Sequence, residues 1–524
     1  MAKKVSFRED VRPELKKGVD ILADAVRVTM GAKGGSVIIG HDFGYPQVTK
    51  DGVTVAKMIS LPDPVQNVGA QMIISVANKT AEDAGDGTTT ATVLAQAMIE
   101  KGMKNVASGA SPISLKSGIN RAVAKVVEEL KRVSIDVKDN DQIKQIATIS
   151  ANNDEEVGAL IAEAMGKISE DGVITVEESK GTDTYVEVVE GLQFEKGYLS
   201  PYFVTDQEKM LVEMQNVLVF ITTDKITSIE HLLPMLEMVA KSKRPILIIS
   251  NEVTGEALQT LVLNKVKNGF EVSAVSSPSF GDKRLDYLED IASITGGTVV
   301  SEQKGVTIEN FTFDMFGECE RVSISKDKTT IVKGLGKKDI IEKRVNQLKK
   351  LIKDSKTKEE EKELKTRLNK LSGGVAVLYV GANTEPELGE KKDRVDDALS
   401  ATRSAVEEGI VIGGGLALLK AREVLLGMES VDTDEETGVM IVYDALRAPI
   451  MQILANANKG LEVLYKINEM GGNFGYDVKK GEYVDMMEGG IIDPTKVTRV
   501  ALENAASVAS LLLTTECVIT EIKE

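Results

Sequence analysis

Residues 85–94 are the strongest local candidate for chemistry in this chain, with two glycines around one aspartate and three threonines after them. The glycines favour a tight loop, and the threonines would open a helix whose apolar residues face a core. A helix N-terminus presents free N–H groups and the positive end of the helix dipole, so Thr88, Thr89 and Thr90 predict a phosphate cradle. Asp86 could hold Mg²⁺, which prefers one or two carboxylates with phosphate oxygens and water. The alternative is that Thr88 only caps a helix after a glycine turn.

Three further loops carry glycines or charges in front of helical patterns. Residues 29–35 end an N-terminal helix in glycines and add a lysine, residues 49–53 place a lysine and a carboxylate on a turn, and residues 413–415 are all glycine. Each loop is a weak signal alone, because glycine turns before helices are common. The pattern GxxxxGK[ST] does not occur, since residues 334–337 lack the following hydroxyl. A nucleotide-binding protein with this sequence would therefore not be of the P-loop type.

Two helical patterns in the middle of the chain carry more apolar residues than one buried stripe needs. In residues 228–240, Ile229 and Leu233 widen the stripe sideways, and in residues 254–267 the apolar positions cover more than half of the circumference. The surplus indicates either an exposed binding patch or burial against further structure.

Soft metal ligands are scarce in the sequence. Cys319 and Cys517 are too few for a disulfide framework, and with only His41 and His231 the chain cannot assemble a Cys/His metal site. Carboxylates are the remaining candidates for metal binding.

The elements that must position these residues belong to a large globular protein. The chain has 524 residues, 42% of them apolar and 28% charged, which excludes disorder and collagen-like sequence. The low aromatic content of 4% argues against a β-sandwich and suits helices packed on buried parallel sheets. A formal charge of −17 argues against sequence-independent nucleic-acid binding, which depends on a basic surface.

Targeting and membrane signals are missing from the pattern of the chain. The N-terminal residues lack the apolar core of a signal peptide, and no apolar run approaches the roughly 20 residues that span a bilayer. We therefore expect a cytosolic protein, or an organellar protein whose targeting segment has been removed.

The texture of the sequence changes twice along the chain. Residues 16–133 and 400–524 are helix-rich, whereas short apolar runs at 217–221, 245–249 and 272–275 alternate with helical patterns. Such alternation predicts a βαβαβ unit with a parallel sheet, inserted into a helical domain built from both chain ends. Residues 339–371 predict two charged, solvated helices to which we assign no function.

The chain resembles the group I chaperonins, the 60-kDa chaperonins of bacteria, mitochondria and plastids, over nearly its whole length. Several long motifs occur in the family's order, which makes coincidence negligible. They are residues 19–26 (VDILADAV), 49–53 (TKDGV), 85–95 (GDGTTTATVLA), 149–152 (ISAN), 197–203 (GYLSPYF), 373–377 (GGVAV), 405–409 (AVEEG) and 492–497 (IDPTKV).

The resemblance implies a multidomain α/β subunit. It would have a mainly helical equatorial ATPase domain, a small α+β intermediate hinge domain and an apical βαβ domain with flanking helices. The implied bounds are 1–133 and 408–524 for the equatorial domain, 134–189 and 376–407 for the intermediate domain, and 190–375 for the apical domain.

The resemblance also implies an ATP-driven folding chamber, built from one or two rings of seven subunits. It would bind non-native polypeptides and a 10-kDa-type co-chaperonin lid, use ATP, Mg²⁺ and K⁺, have no nucleic-acid or membrane partner, and lie in the bacterial cytoplasm or in an organelle's matrix or stroma. A holding protein without productive ATP cycling is the alternative, although the joint presence of Asp51, Asp86 and Asp397 favours the chamber. A small-molecule kinase is disfavoured, because the hydrophobic site lies far along the chain from the phosphate loops.

Residue by residue, the resemblance implies an ATP site in which Asp51 and Asp397 orient the attacking water and Asp86 binds Mg²⁺. The residues implied around the nucleotide are Thr29, Met30, Gly31, Ala32, Lys50, Asp86, Gly87, Thr88, Thr89, Thr90, Gly414, Asp477, Val478, Lys479 and Asp493. The residues implied to bind clients and the lid are Tyr198, Tyr202, Phe203, Leu233, Leu236, Leu258, Val262 and Leu263.

The chain departs from the family at several of these places. Ala32 stands where the family usually has proline, so φ is not fixed in the first phosphate loop. Residues 477–479 replace small residues near the adenine, and Ser277 stands in a loop where the family has alanine. Met451 and Gly460 occupy the positions of an Arg/Glu pair across the ring–ring contact, which makes a single ring more secure than a double one.

Overall fold

A computed structural model describes residues 3–40, 47–137, 139–151, 154–168, 173–179, 181–207, 209–281, 283–355 and 357–521. His41 and Asn152 lie outside the described residues, and so does the side chain of His231.

The chain divides into two compact units. The first joins both parts of the chain outside the insertion, Met1–Ala162 and Glu390–Glu524, and the second is the continuous segment Glu163–Gly389. The further division of the chain into five domain segments stays a prediction.

Helices and strands are each numbered in chain order; α2 to α7 follow one another, and strands become frequent from β4 onwards. The helices are α1 (Arg8–Arg27), α2 (Gly52–Lys57), α3 (Pro64–Ala84), α4 (Thr88–Ala107), α5 (Pro112–Val133), α6 (Asn140–Ser150), α7 (Glu155–Lys167), α8 (Leu233–Ser242), α9 (Gly255–Asn268), α10 (Lys283–Thr295), α11 (Lys338–Asp354), α12 (Lys358–Ser372), α13 (Glu385–Glu408), α14 (Leu416–Ala421), α15 (Thr433–Ala445), α16 (Ala448–Asn456), α17 (Leu461–Met470) and α18 (Thr495–Thr514). The strands are β1 (Lys3–Phe7), β2 (Val37–Ile39), β3 (Gln47–Thr49), β4 (Val173–Glu178), β5 (Tyr185–Val189), β6 (Gly191–Phe194), β7 (Val212–Thr222), β8 (Lys225–Ile226), β9 (Ile246–Ser250), β10 (Glu252–Val253), β11 (Val272–Ser276), β12 (Val299–Val300), β13 (Gly317–Ile324), β14 (Thr329–Gly334), β15 (Val375–Val380), β16 (Ile410–Ile412), β17 (Phe474–Asp477), β18 (Glu482–Asp485), β19 (Ile492–Pro494) and β20 (Cys517–Glu521).

Helix α18 is the centre of the first unit and packs against α3, α4 and α5. Its small and apolar residues are buried almost all round, as the near-continuous apolar run in the sequence predicts. Asp63 and Ser111 cap α3 and α5, and a proline follows each cap at the first helical position, where its missing N–H costs nothing. Antiparallel pairing of β1 with β20 joins the two ends of the described chain in this unit.

The second unit contains a seven-stranded sheet in the order β11-β9-β7-β13-β14-β6, with β12 also paired to β7. Strands β7, β9 and β11 are parallel, as the alternating pattern predicts, and β13, β14 and β6 extend the sheet with antiparallel pairs. Helix α8 lies in the connection from β7 to β9, and α9 lies in the connection from β9 to β11. A smaller sheet has the order β4-β15-β5.

The two predicted charged helices are α11 and α12, and their apolar stripes pack on the core of the second unit. Ion pairs that the sequence did not predict fix them to α10. Arg344 Nε lies 2.7 Å from Asp290 Oδ1, and the buried Arg367 Nε lies 2.8 Å from Asp290 Oδ2. Asp290 thus meets two guanidinium groups, which compensates for the burial of its charge.

One helical stretch, Thr433–Asn456, has the length and apolar composition to cross a membrane. Half of its most apolar 18-residue segment is buried within the protein. Core helices of soluble proteins can have the same length and apolar composition. This stretch is therefore weak evidence for a membrane span.

Candidate functional site

The predicted phosphate cradle is a sharp turn between α3 and α4. Gly85 ends α3 with a φ of 74°, and Gly87 precedes α4 with a φ of 84°, values that favour glycine. Gly87, and not Thr88, is the N-cap residue, and no side chain caps the helix there. The alternative in which Thr88 only caps the helix is therefore wrong, and the first N–H groups of α4 are left for another acceptor.

Asp86 lies inside this turn, and its Oδ1 accepts a hydrogen bond of 2.5 Å from the N–H of Gly87. A Cβ atom on Gly87 would come within 2.7 Å of Val497 Cγ1 on α18. The turn is thus held against the central helix of the first unit, and a side chain at residue 87 has no room.

Asp51 is positioned beside the same helix start. It caps α2, with its carboxylate accepting hydrogen bonds from the N–H groups of Val53 (3.1 Å) and Thr54 (2.8 Å). A Cβ atom on Gly52 would collide with Thr89 Oγ1, so the turn that carries Asp51 packs directly on the beginning of α4. Lys50, the preceding residue, is exposed.

Asp397 comes to this site on α13. One turn later, Ser400 lies so close to Gly85 that a Cβ atom on the glycine would overlap the Cβ of the serine. A further turn along the helix, Ser404 Oγ donates a hydrogen bond of 3.0 Å to the carbonyl of Ala84. Residues spaced three and seven apart share one face of a helix, so α13 docks on the cradle with its Asp397 face. Neither serine was predicted, because these residues form no distinct pattern in a single sequence.

Asp493 completes the group from a different part of the chain. It lies on β19, opposite Val411 of β16, and its carboxylate accepts hydrogen bonds from the N–H groups of Gly414 and Gly415. These glycines have φ values of 66° and 76° and precede α14. The structure thus brings the predicted residues Gly414 and Asp493 together, and adds Gly415.

The first phosphate loop follows α1. Thr29 Oγ1 donates a hydrogen bond of 2.9 Å to the carbonyl of Val26, and Gly31 has a φ of 81°. Met30 is buried, whereas Ala32 is exposed. The loop therefore turns sharply at Gly31 and keeps its following residue on the surface.

The predicted adenine contacts lie in a hairpin formed by β17 and β18. The carboxylate of Asp477 accepts hydrogen bonds from the N–H groups of Lys479 (2.9 Å) and Lys480 (3.2 Å), so it stabilises the turn. Val478 is buried in a cluster with Leu416, while Lys479 is exposed. Asp477 and Val478 therefore support the hairpin, and their contact with a base stays a prediction.

Burial and neighbouring carboxylates raise the pKa of Asp86 and of Asp397. Desolvation by surrounding protein raises the pKa of Asp86, with the charge of Asp51 adding to it and the Gly87 N–H opposing it. Desolvation, followed by the charges of Asp86 and Asp51, raises the pKa of Asp397 to about 8. The side chains of Asp86 and Asp397 both stay accessible to water and ions, and repulsion between carboxylates adds to each shift. A bound cation would relieve this repulsion.

The half-buried Asp493 has a related shift. Burial raises the pKa of Asp493 to about 7, and the charge of Asp86 adds to the effect. In an unfolded chain an aspartate titrates at about 3.9. The folded protein therefore holds this proton to a higher pH, and ionisation of Asp493 costs the folded state stability as the pH rises between those two values.

Replacing Asp493 by asparagine should remove this cost. We compare the thermal unfolding temperature of Asp493→Asn with that of the parent, without nucleotide or Mg²⁺. The variant's unfolding temperature minus the parent's should increase as the pH rises from about 4 to about 7. The difference should level off above that range. Thermal unfolding followed by circular dichroism at pH 5, 6, 7 and 8 measures it, and a difference that is constant with pH contradicts the assignment.

The site fits a nucleotide with Mg²⁺ better than a metal ion alone. Among the residues that the structure describes, no group of three or more His, Cys, Asp or Glu side chains is placed to hold a metal. A magnesium ion at Asp86 would thus need phosphate oxygens and water as its other ligands, which is its usual preference. The uncapped N–H groups of α4 are suited to those same phosphates.

The predicted client-binding residues lie in the second unit, around α8, α9 and the turn 201–203. Leu233, Leu263 and Tyr202 are exposed. Four more are partly buried against the core: Tyr198, Leu236, Leu258 and Val262. Some of the surplus apolar residues therefore belong to the core and others are exposed, so burial accounts for part of the surplus, and binding by the exposed residues stays a prediction.

Phe203 was predicted to contact clients, but the structure places its side chain in the core. Its side chain is fully buried in the core of the second unit, and its carbonyl accepts a hydrogen bond from Lys265 Nζ on α9. The short helical turn at 201–203 directs Tyr202 outwards and Phe203 inwards. Phe203 therefore anchors the turn to α9 and is not presented on the surface.

Comparisons with known proteins agree with this architecture. The model of the TCP-1/cpn60 chaperonin family matches residues 22–523. Among solved structures, the chain is similar to the chaperonin gp146 from the bacteriophage EL 2 (Pseudomonas aeruginosa), crystallised in the presence of ATP-BeFx. The two share 23% sequence identity and a TM-score of 0.68, over 99% of each chain. This likeness concerns the fold and confirms the prediction of a multidomain α/β protein.

Proposed function

The chain belongs to the TCP-1/cpn60 chaperonin family, and from that premise we propose that it is an ATP-dependent folding chaperone whose ATPase site surrounds the N-terminus of α4. The observation that carries the proposal is the convergence of Asp51, Asp86, Asp397 and Asp493 on that uncapped helix start. The repulsion among these carboxylates favours a divalent cation at the site, and the uncapped N–H groups of α4 favour the phosphates that such a cation accompanies.

Each residue would have a separate task in hydrolysis. The first N–H groups of α4 and the hydroxyls of Thr88 to Thr90 would bind phosphate oxygens, and Asp86 would bind Mg²⁺, which supplies charge neutralisation there. Asp51 and Asp397 would orient a water molecule for in-line attack. Phosphoryl transfer depends on positioning and charge neutralisation more than on a strong base, so carboxylates suffice for this task.

The position of Asp397 would link hydrolysis to the shape of the subunit. It lies on α13, one continuous helix that begins in the second unit and ends in the first. Docking of this helix on Ala84 and Gly85 brings Asp397 to the site, so undocking would remove it. Hydrolysis would then depend on the docked state, as in other enzymes that complete their active site by a conformational step.

We place client binding on an apolar surface formed by Tyr202, Leu233 and Leu263, and call it the apical surface. Burial of apolar area is non-directional, so such a surface can accept many unfolded sequences. A 10-kDa-type co-chaperonin would compete for the same residues. We further propose a seven-subunit ring in the bacterial cytoplasm, with K⁺ as an additional cofactor, on the strength of the family alone.

The replacement Leu263→Ser should weaken capture of unfolded chains. Leu263 is 50% exposed, and loss of its apolar area should lower the affinity for a chemically denatured protein by about tenfold. Suppression of aggregation of that protein on dilution measures the effect. Leu351→Ser is the matched control, because Leu351 is 47% exposed on α11, and it should behave as the parent. Equal loss in both variants, or in neither, contradicts the assignment of the surface.

The alternative function is a holding protein that captures unfolded chains without productive ATP cycling. ATP hydrolysis, recovery of an active client and electron microscopy of the particle, each with and without a co-chaperonin, separate the two. Turnover with client recovery supports the folding chamber. Capture without turnover supports the holding protein, and failure to capture unfolded chains rejects both.

A further inference from the structure

Asn456, the last residue of α16, is hydrogen bonded to the loop that follows α1. Its Nδ2 donates to the carbonyl of Arg27 at 3.0 Å and to the carbonyl of Met30 at 2.9 Å, and a longer contact of 3.4 Å reaches the carbonyl of Val28. One side chain thus contacts the whole of the turn that leads into Gly31. No motif in the sequence pointed to this residue.

The orientation of the amide is fixed from its other side. Asn456 Oδ1 accepts a hydrogen bond of 2.8 Å from Gln452 Nε2, one turn earlier on α16. Backbone carbonyls only accept hydrogen bonds, so the NH₂ group must face the loop. The last carbonyls of a helix have no partner within the helix, and Asn456 supplies one for Arg27 at the end of α1, in addition to the N–H of Met30 at 3.2 Å.

Helix α16 also supports two glycine turns that are far apart in the sequence. A Cβ atom on Gly31 would lie 3.0 Å from Ile453 Cγ1, and one on Gly415 would lie 2.8 Å from the backbone nitrogen of Ile450. The helix therefore lies against both the first phosphate loop and the turn that binds Asp493. It sets the spacing between these two parts of the site.

The loop after α1 needs such support because its own residues do not restrict its backbone conformation. Gly31 has a φ of 81°, and Ala32 leaves φ free where a proline would fix it. Apart from contacts within the loop, such as the bond of 2.7 Å from the Gly35 N–H to the Val28 carbonyl, its carbonyls depend on Asn456.

We propose that Asn456 is a positioning residue for nucleotide binding, which holds residues 27–31 in the conformation that receives the phosphates. The inference rests on the proposed ATP site. In this proposal α16 preorganises the site through Asn456. Without the Asn456 side chain the loop is less ordered, so nucleotide binding has a larger entropic cost.

The variant Asn456→Ala tests the proposal in the full chain. We expect the dissociation constant of MgADP, measured by calorimetry, to rise about tenfold because two hydrogen bonds to the loop are lost. The KM for ATP should rise in parallel, while kcat at saturating ATP and capture of a denatured protein stay within about twofold of the parent. Gln452→Met, which only frees the amide to rotate, should raise the dissociation constant by a smaller factor.

The control is Asn105→Ala on α4, where an amide also donates to a backbone carbonyl, that of Lys101, at 2.9 Å. It should leave MgADP binding unchanged. Unchanged binding by both Asn456→Ala and Gln452→Met overturns the proposal, and so does a fall in kcat without a change in affinity. If Asn456→Ala fails to fold, Gln452→Met alone decides. Absence of MgADP binding by the parent would instead reject the proposed ATP site, which keeps the two failures distinguishable.

Discussion

Replacing Asp397 by alanine is expected to lower steady-state ATP turnover by at least about 100-fold while leaving MgADP binding near that of the parent. A residue that positions a reacting water typically contributes a factor on the order of 10² to 10⁴ to the rate. Asp397 contributes little to affinity, because burial and repulsion from Asp86 and Asp51 hold its pKa at about 8, so its carboxyl group is largely protonated at neutral pH in the absence of a cation. Binding can even tighten slightly when this repulsion is removed.

The matched control for Asp397→Ala is Asp393→Ala, one turn earlier on α13. Asp393 adds to the negative potential at Asp397 but is not a predicted contact of the nucleotide. Its replacement should leave turnover within about threefold of the parent, a small electrostatic effect. Turnover by Asp397→Ala within tenfold of the parent would remove Asp397 from the site, and an equal loss in both variants would assign the effect to charge alone.

The second large effect is expected from Gly85→Ala. An alanine there must adopt a φ of 74°, and its Cβ would overlap Ser400. We expect α13 to be displaced from the cradle, so that ATP turnover falls at least about tenfold, with overpacking and the left-handed backbone together costing about 2–5 kcal/mol in stability. Steady-state hydrolysis and denaturant unfolding measure the two effects.

Two further variants separate the clash from the backbone strain. Gly109→Ala places the same side chain at a φ of 100° with open space around it, so it should lose only about 1–2 kcal/mol and keep its turnover. In the double variant Gly85→Ala/Ser400→Gly the overlapping atoms are gone, and turnover should recover in large part. If turnover does not recover, the clash with Ser400 is not the cause of the loss in Gly85→Ala.

The sequence predicted those features of the fold that local patterns encode. Apart from Pro245, the apolar runs at 217–221, 245–249 and 272–275 lie in β7, β9 and β11, and the charged stretch 339–371 forms α11 and α12. The antiparallel extension of the sheet by β13, β14 and β6 was not predicted, because pairing between distant strands depends on tertiary contacts and not on local pattern.

The candidate site was predictable where glycine spacing marks a sharp turn, as at residues 85–87. It was not predictable where small or polar residues act through packing across the chain. Ser400 touches Gly85, and Asn456 holds the loop after α1, yet nothing in either local sequence distinguishes these residues from surface positions. Phe203 was misplaced because the direction of a side chain in a short helical turn is not set by a repeating pattern.

The pairing of β1 with β20 sets an order of events during synthesis. Lys3 lies opposite Glu521, so the first strand has no partner until nearly the whole chain has left the ribosome. The second unit is continuous in sequence and can fold earlier, as domains generally do while translation proceeds. Each nascent copy would then display Leu233 and Leu263 while its other half is still unfolded. Such a half-made copy is itself an unfolded polypeptide, and finished copies with the proposed apical surface would be able to capture it.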